Sequence, residues 1–283
     1  MNAIIGGSKG FEILQKHGSE AKRIAPMETP FGEAQAVYEF GHFLYMPRHG
    51  ERGYSIAAPF VNYRANIYAL KELGVKRIIA WSGPAAIDPN INLGEIVLPG
   101  DIVDETRHRA DTFYRGTGLG FIRQNPTFCP HLHAALADAG RDMGQIARIS
   151  EVYVCTEGPR LETAAEIRKF GFYGGTLVGM TLVPEVFLAK ELEMCYAAVC
   201  YVTNYAEGVR ERPFRPGVLF EGLLDDVESN AVDRSVSLIP EVAAKAFELV
   251  ASREEICSCN RSMERYRLRG DIGDDWHEWS RGV

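Results

Sequence analysis

Apolar and polar positions along the chain follow two periods. Short apolar runs bounded by turn residues read as buried strands: Ala3-Ile4-Ile5, Val75 to Trp81, Val152 to Cys155, Thr176 to Met180 and Cys195 to Thr203. Ala36 to Phe40 and His42 to Met46 flank Gly41 and predict a hairpin. Glu95 to Asp104 reads as a strand with a turn inside, at Pro99-Gly100. Helical spacing covers Val61 to Leu73, closed by Gly74, then Leu132 to Ala147, Val186 to Leu192, Phe220 to Asn230 and Ser235 to Ala251. Arg107 to Pro130 reads as loop. Its Gly116-Thr117-Gly118-Leu119-Gly120 run precedes no helix pattern, which makes it a flexible loop and not a cofactor box. Strands alternate with helices, and neither a linker nor a repeat divides them. The expected fold class is α/β, a single three-layer α/β/α domain over residues 1–255 with a mixed, twisted central sheet. The charged segment 256–283 is expected to be partly disordered or to dock on a neighbouring subunit.

Composition narrows the function. Of 283 residues 46% are hydrophobic and 24% charged, enough for one large α/β domain. The net charge of −7 comes without any dense Lys/Arg run, so nothing points to nucleic acid. No apolar run approaches the ~18 residues of a membrane helix. Met1 to Gly7 lacks the charged start and long apolar core of a signal peptide, and a cytoplasmic protein is expected. Six cysteines are scattered, three of them inside apolar runs where buried free thiols are expected. Cys257-Ser258-Cys259 lacks zinc-knuckle spacing and His neighbours, so no metal is expected; a late disulfide and two free thiols are both open.

Candidate chemistry collects at strand ends, where α/β proteins bind ligands. Gly6-Gly7-Ser8-Lys9-Gly10 follows the first strand; it matches neither G-x-G-x-x-G nor a Walker loop, and either a phosphate loop or a plain turn fits it. Pro47-Arg48-His49-Gly50 ends another strand with one forked and one point donor, as an oxyanion site or a surface pair would. Ser82-Gly83 leaves room at a third. Val154 to Arg168 passes from strand through Gly158-Pro159 into a helix and carries Arg160, Glu162, Thr163 and Glu166; taken alone, it also fits a solvated turn. Met180, Thr181 and Asn204 complete the set. Hydroxyls and cations suit an oxyanion, Glu162 and Asn204 suit the edge of a heterocycle, and Met180 suits its flat face or a sugar. No G-x-S-x-G elbow and no metal-spaced cluster is present, so the chemistry reads as anion plus planar heterocycle without a covalent nucleophile.

Four segments in order carry a resemblance over almost the whole chain: Pro47-Arg48-His49-Gly50, Val61-Asn62-Tyr63-Arg64-Ala65-Asn66, Thr156-Glu157-Gly158-Pro159-Arg160-Leu161-Glu162-Thr163 and Gly179-Met180-Thr181-Leu182-Val183-Pro184-Glu185-Val186. The chain resembles the purine nucleoside phosphorylase and methylthioadenosine phosphorylase family. The resemblance implies a pentosyltransferase that cleaves the N-glycosidic bond with inorganic phosphate as co-substrate and no cofactor. It places Ser8, Arg48, His49, Ser82, Gly83 and Thr181 on phosphate, Met180 on ribose, and Leu161, Glu162 and Asn204 at the base, with Asn204 and Glu162 taking the catalytic roles. It also implies a homotrimer or dimer of trimers.

Members acting on 6-amino purines carry Asp where Asn204 stands and Ser where Glu162 stands; both residues here resemble 6-oxopurine enzymes. Apolar Val218, Leu219 and Phe220, with Phe121 reaching in from a neighbouring subunit, imply a 5′ pocket suited to methylthio-nucleosides as well as to inosine and guanosine. Ser8-Lys9 replaces the usual Thr-Gly, Ala85 stands in a run normally containing Gly, and Gly53 replaces a usual His. The terminal cysteine pair resembles one that forms disulfides in heat-stable members. A methylthioadenosine phosphorylase, a binding protein on a degenerated scaffold and a hydrolase using water remain competing expectations.

Overall fold

The computed structural model describes residues 1–16, 21–145, 148–252 and 257–280. Strands β1 (Asn2–Gly6), β2 (Lys22–Ile24), β3 (Val37–Phe40), β4 (Phe43–Pro47), β5 (Arg77–Ser82), β6 (Ala85–Ala86), β7 (Ile96–Glu105), β8 (Arg148–Thr156), β9 (Leu177–Gly179), β10 (Cys195–Tyr201) and β11 (Asn204–Tyr205) form one sheet. Their spatial order is β11-β6-β9-β8-β7-β10-β5-β1-β4-β3-β2. Helices α1 (Ser8–Lys16), α2 (Tyr63–Glu72), α3 (Pro130–Asp142), α4 (Ala164–Phe172), α5 (Glu185–Glu191), α6 (Asp226–Ser252), α7 (Glu264–Arg269) and α8 (Trp276–Ser280) surround it.

Side-chain alternation builds the three layers. Ala3, Ile5, Met46, Ile78, Ala80 and Ala198 pack on one face with Ile67 and Leu70 of α2 and Leu188 of α5. Ile4, Tyr45, Ile79, Trp81, Ala197 and Val199 pack on the other, with Phe11 of α1, Leu132 and Leu136 of α3, and Val236 and Ile239 of α6. Strands covered on both faces must be apolar at every position, which is why they read as continuous runs and not as alternation.

The centre of the sheet consists of two parallel sets, and the hairpin strand β3 and then β2 add antiparallel at one edge. Strands β4, β1, β5 and β10 run one way, and β7, β8 and β9 form the other set. The sets join antiparallel where Ile96 and Val97 pair with Tyr201 and Cys200. Beyond β9, the short β6 pairs antiparallel with it and β11 pairs parallel with β6.

Three expectations change. No turn interrupts 95–104: β7 continues through Pro99-Gly100, and β8 absorbs the irregularity with register shifts around Glu151. The helix expected to reach Ala147 ends at Asp142, before Gly144 at φ 71°; residues 146 and 147 lie outside the described residues. The last two predicted helices are one, because Val232, Val236, Ile239, Ala243, Ala246 and Phe247 form one buried stripe that continues past Pro240. Asp225 and Glu228 open it with reciprocal side-chain-to-backbone bonds of 2.8 and 3.1 Å. In the C-terminal segment Met263, Tyr266, Ile272 and Trp279 are buried in the chain's own core. No helix among the described residues is long and apolar enough to cross a membrane.

Candidate active site

Three hydroxyls meet between the two strand sets. Ser82 Oγ at the end of β5 lies 2.9 Å from Thr181 Oγ1, which follows β9, and 3.2 Å from Tyr153 Oη of β8. Tyr153 Oη is 3.4 Å from Thr181 Oγ1. Burial raises the Tyr153 phenol, so it stays protonated. Three hydroxyls that can each donate or accept make an adaptable lining for an oxyanion.

His49 follows Arg48 at the end of β4, and its ring stands beside Gly7 after β1. Its Nδ1 is 2.9 Å from the Ile56 carbonyl, a partner that can only accept, so Nδ1 carries the proton. The buried Nε2 is then an acceptor, and no protein group fills it. Burial, reinforced by the Arg48 charge, pushes the imidazole down to about 4, so it is neutral at pH 7. A neutral ring with a bare Nε2 accepts from a protonated oxyanion.

Arg48 is buried to 1% exposure at the end of β4. Two of its nitrogens face the carboxylate of Glu185 at the start of α5, one of them at 2.9 Å from Oε2. Tyr196 donates to the same carboxylate oxygen at 2.8 Å. Burial opposes the guanidinium charge, and Glu185 more than offsets it. The remaining terminal nitrogen is 3.5 Å from the Trp81 carbonyl, beside Ser82.

A second group of side chains lines the far side. Of the polar residues in the Val154–Arg168 stretch, three are tied to each other. Thr163 and Glu166 form a capping box at the start of α4, and Arg160 grips Glu166 at 2.7 and 2.8 Å. Glu162 is left out of that network; its carboxylate accepts from Thr156 Oγ1 at 2.5 Å. Met180 is seated by Gly158, whose φ of 70° suits glycine and where a Cβ would stand 2.5 Å from the Met180 sulfur. Asn204 Nδ2 donates to the Tyr205 carbonyl at 2.8 Å, and Oδ1 accepts from Thr203 at 2.7 Å. These two bonds orient the amide and leave one N–H free.

Arg109, from the long loop, holds this side together. It donates to the carbonyls of Thr156 and Glu157 at 2.9 and 2.7 Å and of Met180 and Val183 at 2.8 and 2.5 Å. One guanidinium thereby fixes the strand end that carries Thr156 to the one that carries Met180. Arg109 escaped the sequence reading because a buried cation in a loop has no periodic signature. Glu185, Tyr153, Thr156 and Thr203 escaped it too, although Thr156 and Glu185 lie inside the recognised motifs.

The remaining expected residues fall as follows. Ser8 begins α1, adjoining Gly7 beside the His49 ring; its side chain is outside what is described. Gly83 packs tightly against Thr203 and Tyr201: a Cβ there would stand only 2.8 Å from the Thr203 methyl. Leu161 is exposed next to Glu162. Val218 is exposed and Phe220 half-buried in the turn before α6. Phe121 stands apart: its side chain is 77% exposed, and its N–H donates to Tyr266 Oη at 2.7 Å.

The layered mixed sheet, with a hydroxyl corner at the ends of its strands, defines an α/β protein of the nucleoside phosphorylase type. The pattern of the phosphorylase superfamily matches residues 3–239, and the chain belongs to that family. It is 38% identical to the 6-oxopurine nucleoside phosphorylase of Pyrococcus furiosus, covering 93% of this chain and 97% of that one. It is 36% identical to a probable S-methyl-5′-thioinosine phosphorylase of Methanothermobacter thermautotrophicus, over 93% and 89%. Among solved structures, a methylthioadenosine phosphorylase sourced from an antarctic soil metagenomic library superposes with a TM-score of 0.79 at 26% identity, over 92% and 90%.

Proposed function

We propose that this chain is a pentosyltransferase that uses inorganic phosphate to cleave 6-oxopurine nucleosides, the 5′-methylthio form included, to the free purine and the (methylthio)ribose 1-phosphate. The carrying observation is the locked pair at the base side. Thr156 fixes the Glu162 carboxylate as an acceptor, and Tyr205 with Thr203 fixes the Asn204 amide with a free N–H. A fixed acceptor and a fixed donor together match N1–H and the O6/N7 edge of hypoxanthine or guanine, and mismatch adenine, whose N1 is an acceptor.

The chemistry follows from charge. As the glycosidic bond stretches, the sugar becomes oxocarbenium-like and the purine gains negative charge. The Asn204 N–H stabilises that charge at N7 or O6, a contribution of about 1–3 kcal/mol. Phosphate held by Ser82, Thr181, the backbone at Ser8 and Gly83, and the Arg48 nitrogen next to the Trp81 carbonyl stands beside the sugar cation and attacks it. His49 Nε2 accepts the remaining phosphate O–H and so orients the nucleophile. Met180 packs on the ribose, and Leu161 borders the base. The exposure of Phe121 and of Val218 supports a homotrimer or dimer of trimers, in which Phe121 of one subunit, with Val218 and Phe220 of its neighbour, encloses the 5′ group.

The test is a panel of inosine, guanosine, adenosine, methylthioinosine and methylthioadenosine, each with and without phosphate. Phosphate-dependent release of hypoxanthine or guanine is expected. Release in phosphate-free buffer at the same rate would make the chain a hydrolase, and no release from any nucleoside at high phosphate would overturn the reading.

A further inference from the structure

Far from the candidate site, folding gathers four thiols that the sequence separates. Cys129 is the N-cap residue of α3, Cys195 begins β10, and Cys257 and Cys259 lie in the C-terminal segment, Cys259 opening a 3-10 turn to Arg261. Their four sulfurs all lie within 4.8 Å of one another. Cys195 and Cys257 sulfurs are 3.3 Å apart, and all four cysteines are free. Spacing along the chain could not foretell this, because only Cys257 and Cys259 are near in sequence.

The geometry points to a tetrathiolate site in which Cys129, Cys195, Cys257 and Cys259 bind one soft divalent cation of the zinc class and fasten the C-terminal segment to the sheet. Four sulfurs at ~2.3 Å from a zinc ion form a tetrahedron with edges of about 3.8 Å, which falls between the 3.3 Å of Cys195 and Cys257 and the 4.8 Å that bounds the cluster. A pair of disulfides would instead bring sulfurs together two by two at about 2.05 Å. No two of the four sulfurs are bonded to each other in the structure, and all four converge within 4.8 Å.

The surroundings suit such a site. Cys129 is buried, and the other three are half-buried against the apolar cluster beneath α3 and α6. The Cys129 N–H donates to the Tyr196 carbonyl at 2.8 Å, holding it next to Cys195. Cys129 caps α3, and the N-terminus of that helix favours a thiolate there. Lys190, whose ammonium donates to the Pro126 carbonyl at 2.8 Å, is close enough to feel the charge on Cys259. Binding exchanges four thiol protons for one M²⁺, leaving a dianionic centre that these groups offset. The fastened segment carries Tyr266, which receives the Phe121 N–H, so the site also steadies the loop of Phe121.

The protein is purified reduced and without oxygen, then assayed for zinc by elemental analysis and by whole-chain mass. One zinc per chain is expected. Cobalt exchange should give the visible bands and sulfur-to-metal charge transfer of a tetrahedral tetrathiolate. The double variant Cys257→Ser/Cys259→Ser leaves the sheet cysteines in place and should bind less than a tenth of an equivalent. If it does not fold, Cys257→Ser alone should lose about a quarter of the charge-transfer intensity. A chain four hydrogens lighter without metal would mean two disulfides and overturn the proposal. So would a folded, reduced, metal-free chain with all four thiols open to reagent in the presence of zinc, or a double variant that keeps stoichiometric zinc. None of these readouts depends on nucleoside turnover.

Discussion

Arg48 and Glu185 form a fork-on-fork ion pair with both residues 1% exposed, between the end of β4 and the start of α5. Breaking a buried pair leaves a bare charge, which typically costs about 3–5 kcal/mol. Glu185→Gln should therefore lower the urea-unfolding free energy by about that much. Because the variant leaves the Arg48 cation unmatched, phosphate should raise its midpoint more than it raises that of the native chain. An equal phosphate effect on both would separate Arg48 from the anion site.

Replacing Asn204 by Asp removes the fixed N–H and offers an acceptor, or a donor only when protonated. Asn204→Asp should move the ratio of kcat/KM for inosine over adenosine at least tenfold toward adenosine, or about 1.4 kcal/mol. An unchanged ratio would remove Asn204 from base selection.

Thr156 acts on the base through Glu162. Thr156→Val deletes the 2.5 Å hydrogen bond while the Thr156 carbonyl keeps Arg109. The variant should fold normally and lose about tenfold in kcat/KM for 6-oxopurine nucleosides, about 1.4 kcal/mol, with little loss for adenosine. Thr156→Ser should restore most of it. Equal losses on both bases would point to a general structural role.

His49 gives a pH signature in stability. The unfolded imidazole takes up its proton below about 6.5, whereas the folded ring resists until about 4. The unfolded chain binds more protons in that window, so stability is full above 6.5 and falls as pH drops from 6.5 to 4, by up to about 3 kcal/mol. Denaturant titrations across this range should show the loss, and His49→Asn, which can keep the bond to Ile56, should remove that part of it.

Much of the fold was legible because two-sided burial writes strands as continuous apolar runs, and helices α2 and α5 carry clear helical spacing. Candidate site residues were legible where they sit in unbroken motifs, as at Arg48-His49 and Met180-Thr181. Arg109 and the four-cysteine cluster were not, because each is created by contacts between segments far apart in sequence. The opening charges of Val154–Arg168 misled in a different way. Arg160, Thr163 and Glu166 cap a helix and only Glu162 faces Thr156, a division that side-chain directions decide and residue types do not.

The antiparallel seam at Ile96-Val97 and Cys200-Tyr201 divides labour in the proposed reaction. Groups assigned to the nucleophile stand mostly on one arm, after β1, β4 and β5, and groups assigned to the leaving base stand on the other, after β8 and β9 and in β11. Thr181 and Tyr153 reach across, through their bonds to Ser82. Such a layout is modular: the arm that names the purine can be rewritten, residue by residue, while the arm that delivers phosphate keeps its wiring.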